Sequence, residues 1–275
     1  MKYHALTLRL LLLAASPLLV ECSSPANKAA VKASAENAAK PASKNAAADK
    51  VGPPKGEEDD EYATVPDIAD PLEPLNRGTF WVNDKLYTLI FRPIAKGYEL
   101  VLPKPVRKGI DNAFENAKYP VRVVNCTLQG KFKRAGQETG KFVVNTLGGV
   151  VGIFQPAEKI PALANLPEED TAQTFAKWGI PNGPYLVLPL LGPSSVRDTV
   201  GLAGDYALNP VNWPYLYWFG SRSKHDWIIV PPLSNTLRSI PTQIDKYDTV
   251  TKDAVDPYLS ARSSYSQNRA EVIKK

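Results

Sequence analysis

Trp178-Gly-Ile-Pro-Asn-Gly-Pro-Tyr-Leu-Val-Leu-Pro-Leu-Leu-Gly-Pro-Ser-Ser-Val196 is a charge-free run of 19 residues, long enough to suit a membrane-spanning helix. Pro181, Pro184, Pro189 and Pro193 forbid that helix, because each removes a backbone donor and crowds the preceding turn. Tyr185 to Leu188 reads instead as a short extended segment between turns, its shape set by Gly183, Pro184, Pro189, Gly192 and Pro193. Its side chains are apolar on every side, so it is expected to be structural and to lie against lipid or protein. Ser194 is placed to cap a helix running to about Leu208, with Arg197 and Asp198 on its first turn.

Helical spacing precedes the run. Val106, Gly109, Ile110, Ala113, Phe114 and Ala117 share one face, opposite Arg107, Lys108, Asp111, Asn112 and Glu115. Phe132, Ala135, Thr139, Phe142, Val143 and Leu147 repeat the pattern opposite Lys131, Lys133, Arg134, Gln137, Glu138 and Lys141. Basic polar faces of this kind suit an anionic membrane surface, and they equally suit helices that cover a protein core. Further upstream, Asp70-Pro71-Leu72-Glu73 predicts a helix start, with Asp70 as the cap and Glu73 returning a bond to it. That helix is expected to reach about Phe91, and its apolar residues, Phe80 to Val82 and Leu86 to Phe91 among them, cover more than one stripe. Gly148, Gly149 and Gly152 close the later amphipathic helix. No strand precedes them and no Lys-Ser/Thr follows, so they read as a hinge or a close backbone approach and not as a phosphate loop. With 25 Pro and 17 Gly in 275 residues, the chain is predicted to be all-α, built of short amphipathic helices broken by Pro and Gly.

The N-terminal residues 1–21 read as a targeting signal, in which Lys2 and Arg9 accompany an apolar run, Leu10 to Val20, too short to cross a bilayer. Cys22 follows at once and is the expected lipidation point of a lipoprotein; the alternative is an ordinary secretory signal with an incidental Cys, and Glu21 stands where a small residue is usual. Residues 22–66 are rich in Ala, Lys, Ser, Asn and Pro and close on Glu57-Glu58-Asp59-Asp60-Glu61. This composition predicts a disordered linker with an end-to-end distance of roughly 35 Å. A folded domain over 67–270 and a tail over 271–275 complete the organisation.

Composition narrows the chemistry. Lys and Arg number 33 against 28 Asp and Glu, a net charge of +5 with the two signs interleaved, so no basic face for nucleic acid is expected. Two Cys, two His and one Met leave no material for a Cys/His zinc site, a usual haem pocket or a Cys-x-x-Cys redox centre, and no metal or cofactor is expected. There is no Gly-x-Ser-x-Gly elbow, and with His4 in the signal, His225 is the one imidazole left for a catalytic triad. Carboxylates distant in sequence can still meet in space, which keeps a periplasmic carboxylate-dependent hydrolase as the second reading. A purely structural envelope anchor is the third.

Asp70-Pro71-Leu72-Glu73-Pro74-Leu75-Asn76-Arg77, Arg92-Pro93, Asn145-Thr146, the stretch from Gly179 to Asp198 and Asp256-Pro257-Tyr258 together resemble the MlaA (VacJ) family of outer-membrane lipoproteins, over about Asp67 to Arg269. The resemblance implies a helical ring or disc seated in the inner leaflet of the outer membrane, lipid-anchored on the periplasmic face. It further implies an amphipathic channel that removes mislocalised phospholipid from the outer leaflet. Two partners are implied as well: a trimeric outer-membrane porin and a periplasmic lipid-carrier protein. Moving a lipid makes and breaks no bond, which agrees with the missing catalytic constellation. Under this reading the helix from about Asn76 to Phe91 gates or lines the lipid path, with Asn83 and Asp84 as its polar interruption and Gly148, Gly149 and Gly152 at the channel mouth. Ala172, Ala176 and Pro181 stand where the family usually has Gly, and Gln155 where it usually has an acid.

Overall fold

The computed structural model describes residues 68–214 and 230–275. Cys22, the signal, the linker and His225 lie outside them. The first helix, α1 (Glu73–Leu86), passes through a π-helical turn at Tyr87–Phe91 into α2 (Arg92–Val101). It therefore runs ten residues beyond the expected end at Phe91. The widened turn sits directly before Pro93, whose ring and missing N–H a regular α-turn would not accommodate. The start differs too. Asp70 is not the cap, and the first helical bond runs from Asn76 N–H to Leu72 C=O. Pro74 has no N–H to give to the Asp70 carbonyl, so the turn that Asp70 would cap cannot close.

Four helices follow: α3 (Lys104–Ala117), α4 (Tyr119–Leu128), α5 (Phe132–Gly148) and the short α6 (Thr171–Lys177). Then come strands β1 (Tyr185–Leu188) and β2 (Gly192–Ser195), helix α7 (Val196–Leu208), the long α8 (Val230–Thr251) and α9 (Pro257–Lys274). The fold is mostly helical, as predicted. The proline-rich run adds the one sheet among the described residues, an antiparallel hairpin in which Tyr185 faces Ser195 and Leu188 faces Gly192. The hairpin shifts the predicted cap by one residue. Ser194 is held in β2 opposite Leu186, and it is the Ser195 hydroxyl that accepts from Asp198 N–H to start α7.

Among the described residues no third strand covers the outer edge of β1; side chains take its place. Asn76 donates to the Tyr185 carbonyl at 3.0 Å and accepts from Val187 N–H at 2.9 Å. Seven residues on, Asn83 repeats the pattern with the Leu188 carbonyl (2.9 Å) and Leu190 N–H (2.8 Å). Spacing of two helical turns puts both amides on one face of α1, where each imitates a peptide group of a neighbouring strand. The Ala69 carbonyl accepts from Tyr185 N–H and the Tyr87 hydroxyl donates to Leu190, completing the edge.

Two small apolar clusters hold the centre: Ile68, Phe80, Tyr185, Val187, Tyr258 and Ala261 form one, Tyr87, Ala95, Ile240 and Ile244 the other, and Tyr247 packs against both. Around them the usual polarity is inverted. Among the described residues, 28 buried ones are polar or charged against 15 hydrophobic, so most of this interior is hydrogen-bonded and not oily. The helix α5 makes the inversion concrete. Its expected core-facing residues Phe132 and Leu147 are 70% and 81% exposed, while Glu138, expected on the solvent face, is 1% exposed.

Candidate functional site

Motifs far apart in sequence meet at the base of α1. Asp70 accepts from the Asn76 amide at 2.7 Å and from the Tyr258 hydroxyl. The Arg77 guanidinium donates to Glu73 (2.7 Å) and to Asp256 (3.0 Å), and lies 4.5 Å from the centre of the Tyr258 ring. Asp256 in turn caps α9 through Tyr258 and Leu259 N–H, with Pro257 in the first turn. The Asp-Pro-Leu-Glu and Asp-Pro-Tyr motifs thus form one junction. Asp84, one turn beyond Phe80, stays partly exposed and accepts from the Tyr247 hydroxyl at 2.9 Å. Burial and this carboxylate both push the Tyr247 phenol above its ordinary range.

Asn83 is 2% exposed and both ends of its amide are used by the hairpin. In this conformation its polar group faces β1 and not a passage. The polar interruption in α1 therefore acts first as a hairpin clamp.

The first turn of α7 is the second convergence. Arg197 pairs with Asp198 at 3.1 Å and reaches the Ile180 carbonyl, while Asp198 accepts from Tyr265 at 2.6 Å and pairs with Arg269. Arg269 also binds Asp170, whose carboxylate caps α6 through Gln173 N–H. Burial opposes the ionisation of Asp170, but Arg269 and the Gln173 bonds prevail and lower its pKa. A third network joins α3, α4, α5 and α8: Arg122 pairs with Glu138 at 2.8 Å, and Glu115 with Lys118 and Arg238. Burial alone would raise the Glu115 pKa; Lys118, Arg238 and Arg122 outweigh it and hold the carboxyl at about 2. A fourth, uncharged on one side, sets Asn125, Thr171 and Thr174 around Asp205. Residue spacing carried no signal for these last two networks, because their members come from three or four different elements.

The glycine cluster is a close packing point. A Cβ on Gly149 would lie 2.1 Å from the Phe154 carbonyl oxygen, and one on Gly152, at φ +93°, 2.5 Å from Asn116. A Cβ on Gly148 would lie 3.4 Å from the Pro156 ring, an ordinary van der Waals contact. The loop they frame is fastened to α3: Asn112 donates to the Ile153 carbonyl, and Asn116 to Thr146 at the end of α5. At its tip Val150 and Val151 both adopt positive φ, 53° and 58°, a costly conformation for β-branched residues. Both are exposed, with Phe154 beside them.

Exposed large hydrophobics recur along the whole body, including Leu89, Leu100, Leu147, Val151 and Val200. Among the described residues no helix is long and apolar enough to cross a membrane. The large apolar side chains on the surface thus sit on short, broken elements. Ser194 hydrogen-bonds to Thr199 and the Ser195 carbonyl, and Ser195 is spent on the cap.

Comparison with known proteins places this architecture. An uncharacterised protein of Rickettsia prowazekii is 30% identical over 214 residues, covering 76% of this chain and 79% of the relative. The intermembrane phospholipid transport system lipoprotein MlaA of Escherichia coli K12 is 30% identical over 203 residues, covering 72% and 76%. A solved chain, described as bearing on the structural basis for maintenance of bacterial outer membrane lipid asymmetry, superposes with a TM-score of 0.58 at 26% identity, covering 74% of this chain and 99% of that one. The model of the MlaA lipoprotein family matches residues 68–272, and the chain belongs to that family.

Proposed function

We propose that the protein removes mislocalised phospholipid from the outer leaflet of the outer membrane and passes it to a periplasmic lipid carrier, moving lipid without altering it. The inverted polarity carries this reading. A phospholipid crossing between leaflets needs a polar surface for its headgroup and an apolar one for its tails. A body whose interior is hydrogen-bonded and paired, and whose surface bears large hydrophobics on most elements, offers both. The transport-system names of its relatives agree. In this proposal Cys22 is acylated and anchors the chain to the periplasmic face of the outer membrane, and a trimeric porin braces the body. Asn83 and Asp84 act on the path through the hairpin and Tyr247 contacts they hold. The loop at Gly148, Gly149 and Gly152 borders the mouth.

Deleting the chromosomal copy is expected to raise phospholipid in the outer leaflet, measured as substrate for an acylating enzyme confined to that leaflet, and re-expression of this chain to restore it. An unchanged outer leaflet in the deletion strain would refute the transport role.

A further inference from the structure

The first helix, the end of α8 and the start of α9 wall an open pocket of about 620 Å³, within the size range of small-ligand sites. Its charged lining comprises Arg77, Arg92 and Lys252 against Asp84, Asp248 and Asp256, three of each sign. Internal pairing accounts for most of them. Arg92 is held by Asp248 through both terminal nitrogens, and Arg77 spends Nε and Nη1 on Glu73 and Asp256. Lys252 is exposed and pairs with no carboxylate among the described residues. Trp81 is 61% exposed at the pocket wall, with the Lys85 ammonium 5.9 Å from its ring centre.

Helix-end packing explains the tied arginines, and a cation just past the C-terminus of α8 favours the helix dipole. It does not explain a large indole left open at the wall of the same pocket. What the pocket leaves to a ligand is the Lys252 ammonium with one guanidinium nitrogen, and the Trp81 ring with Asp84, whose carboxylate accepts from Tyr247 and holds the exposed Lys85 at 3.3 Å in a pair that solvent weakens. The first pair suits a phosphate and the second an amine. A lining of zero net charge balances a ligand that is itself neutral overall, whereas an anionic headgroup would leave one charge uncompensated.

We infer that this pocket seats the headgroup of a zwitterionic aminophospholipid, its phosphate on Lys252 and Arg77 and its amine against Trp81 and Asp84. The inference rests on the transport reading and adds a headgroup preference to it. Intact protein in detergent is titrated with glycerophosphoethanolamine, glycerophosphoglycerol and inorganic phosphate while tryptophan emission is followed. The expected result is a saturable change with the ethanolamine compound that vanishes in Trp81→Phe, weakens at least tenfold in Lys252→Glu, and is at least tenfold weaker with the glycerol compound. An equal response to inorganic phosphate would make the pocket a general anion cleft and overturn the assignment. So would an unchanged response in Trp81→Phe, equal binding of the two headgroups, or no saturable change. Should these arms fail while the deletion strain still accumulates outer-leaflet phospholipid, the pocket assignment alone is lost. A deletion strain without that defect removes the transport reading instead.

Discussion

A single asparagine shows how far side chains substitute for backbone in this protein. Asn83 carries the acceptor and the N–H donor of a peptide group on a short stem, and the hairpin uses it as one. Asn83→Ala leaves the part-buried Leu190 N–H without a partner, at about 1–3 kcal/mol, and the Leu188 carbonyl with the Leu191 N–H alone. A loss of about 2 kcal/mol is expected, lowering the thermal midpoint by about 4–8 °C in a body of this size, read by circular dichroism. A midpoint within a degree of the parent would show that water replaces the amide and that the clamp is dispensable. Asn76 stood out in the sequence as part of a motif, and Asn83 as a polar break in an apolar helix, but the duty of both was hidden. It depends on a partner more than 100 residues away, and local spacing reports only neighbours three or four positions apart. Asp70 departs from the expected cap for a related reason: besides Asn76, its carboxylate serves Tyr258, which lies 188 residues on.

At the scale of the element, the legible parts are those whose cause is local. The end of α7 near Leu208, the extended stretch at Tyr185–Leu188 and the span of α3 follow from proline chemistry and helical period. The strand partner of that stretch was not legible, because Gly192-Pro193-Ser194-Ser195 has weak strand propensity and pairs by virtue of the turn at Leu190 and Gly192, both at positive φ. Replacing both Ser194 and Ser195 by Ala removes the α7 cap and is expected to cost about 1 kcal/mol. At equal protein level the outer-leaflet phospholipid of the strain should stay near normal; a stable double mutant devoid of activity would reopen a nucleophile's role. The loop after α5 makes a different trade. Positive φ at two valines costs about 1–2 kcal/mol per residue, and Asn tolerates that conformation far better. Val150→Asn with Val151→Asn is therefore expected to raise the thermal midpoint while weakening partition into vesicles of mixed phospholipid. Tighter vesicle binding by the double variant would show that the exposed valines serve something other than lipid contact.

For the whole molecule, inverted polarity makes stability an electrostatic matter more than a hydrophobic one. The tether is separable from this: Cys22 is expected to be the first residue of the mature chain and acylated, and mass spectrometry of the mature N-terminus showing any other unmodified first residue would remove the anchor. The folded body itself should carry a distinctive acid response. Glu115 holds a pKa of about 2 against an ordinary value near 4.5, so its stabilisation is complete above about pH 4.5 and lost as pH falls toward 2. A shift of that size corresponds to about 3 kcal/mol. Asp170, also lowered, acts in the same direction. Glu168 and Asp111 act in the opposite sense. Burial raises their pKa values, so they take up protons in the folded state first, and stability gains slightly as pH descends toward their unfolded values. The two effects occupy adjacent windows, and the thermal midpoint should pass through a shallow maximum just above pH 4.5 before falling steeply. Glu115→Gln should cost up to about 3 kcal/mol at neutral pH, because it takes from a buried cluster the carboxylate that Lys118 and Arg238 share, leaving Arg238 with Asp111 and Asn235. The same change should flatten the acid limb, since the group that titrated there is gone. An acid limb equally steep in Glu115→Gln and parent would place the charge that holds the body together in a different network, with the Asp170–Arg269–Asp198 chain between α6, α7 and α9 as the next to test.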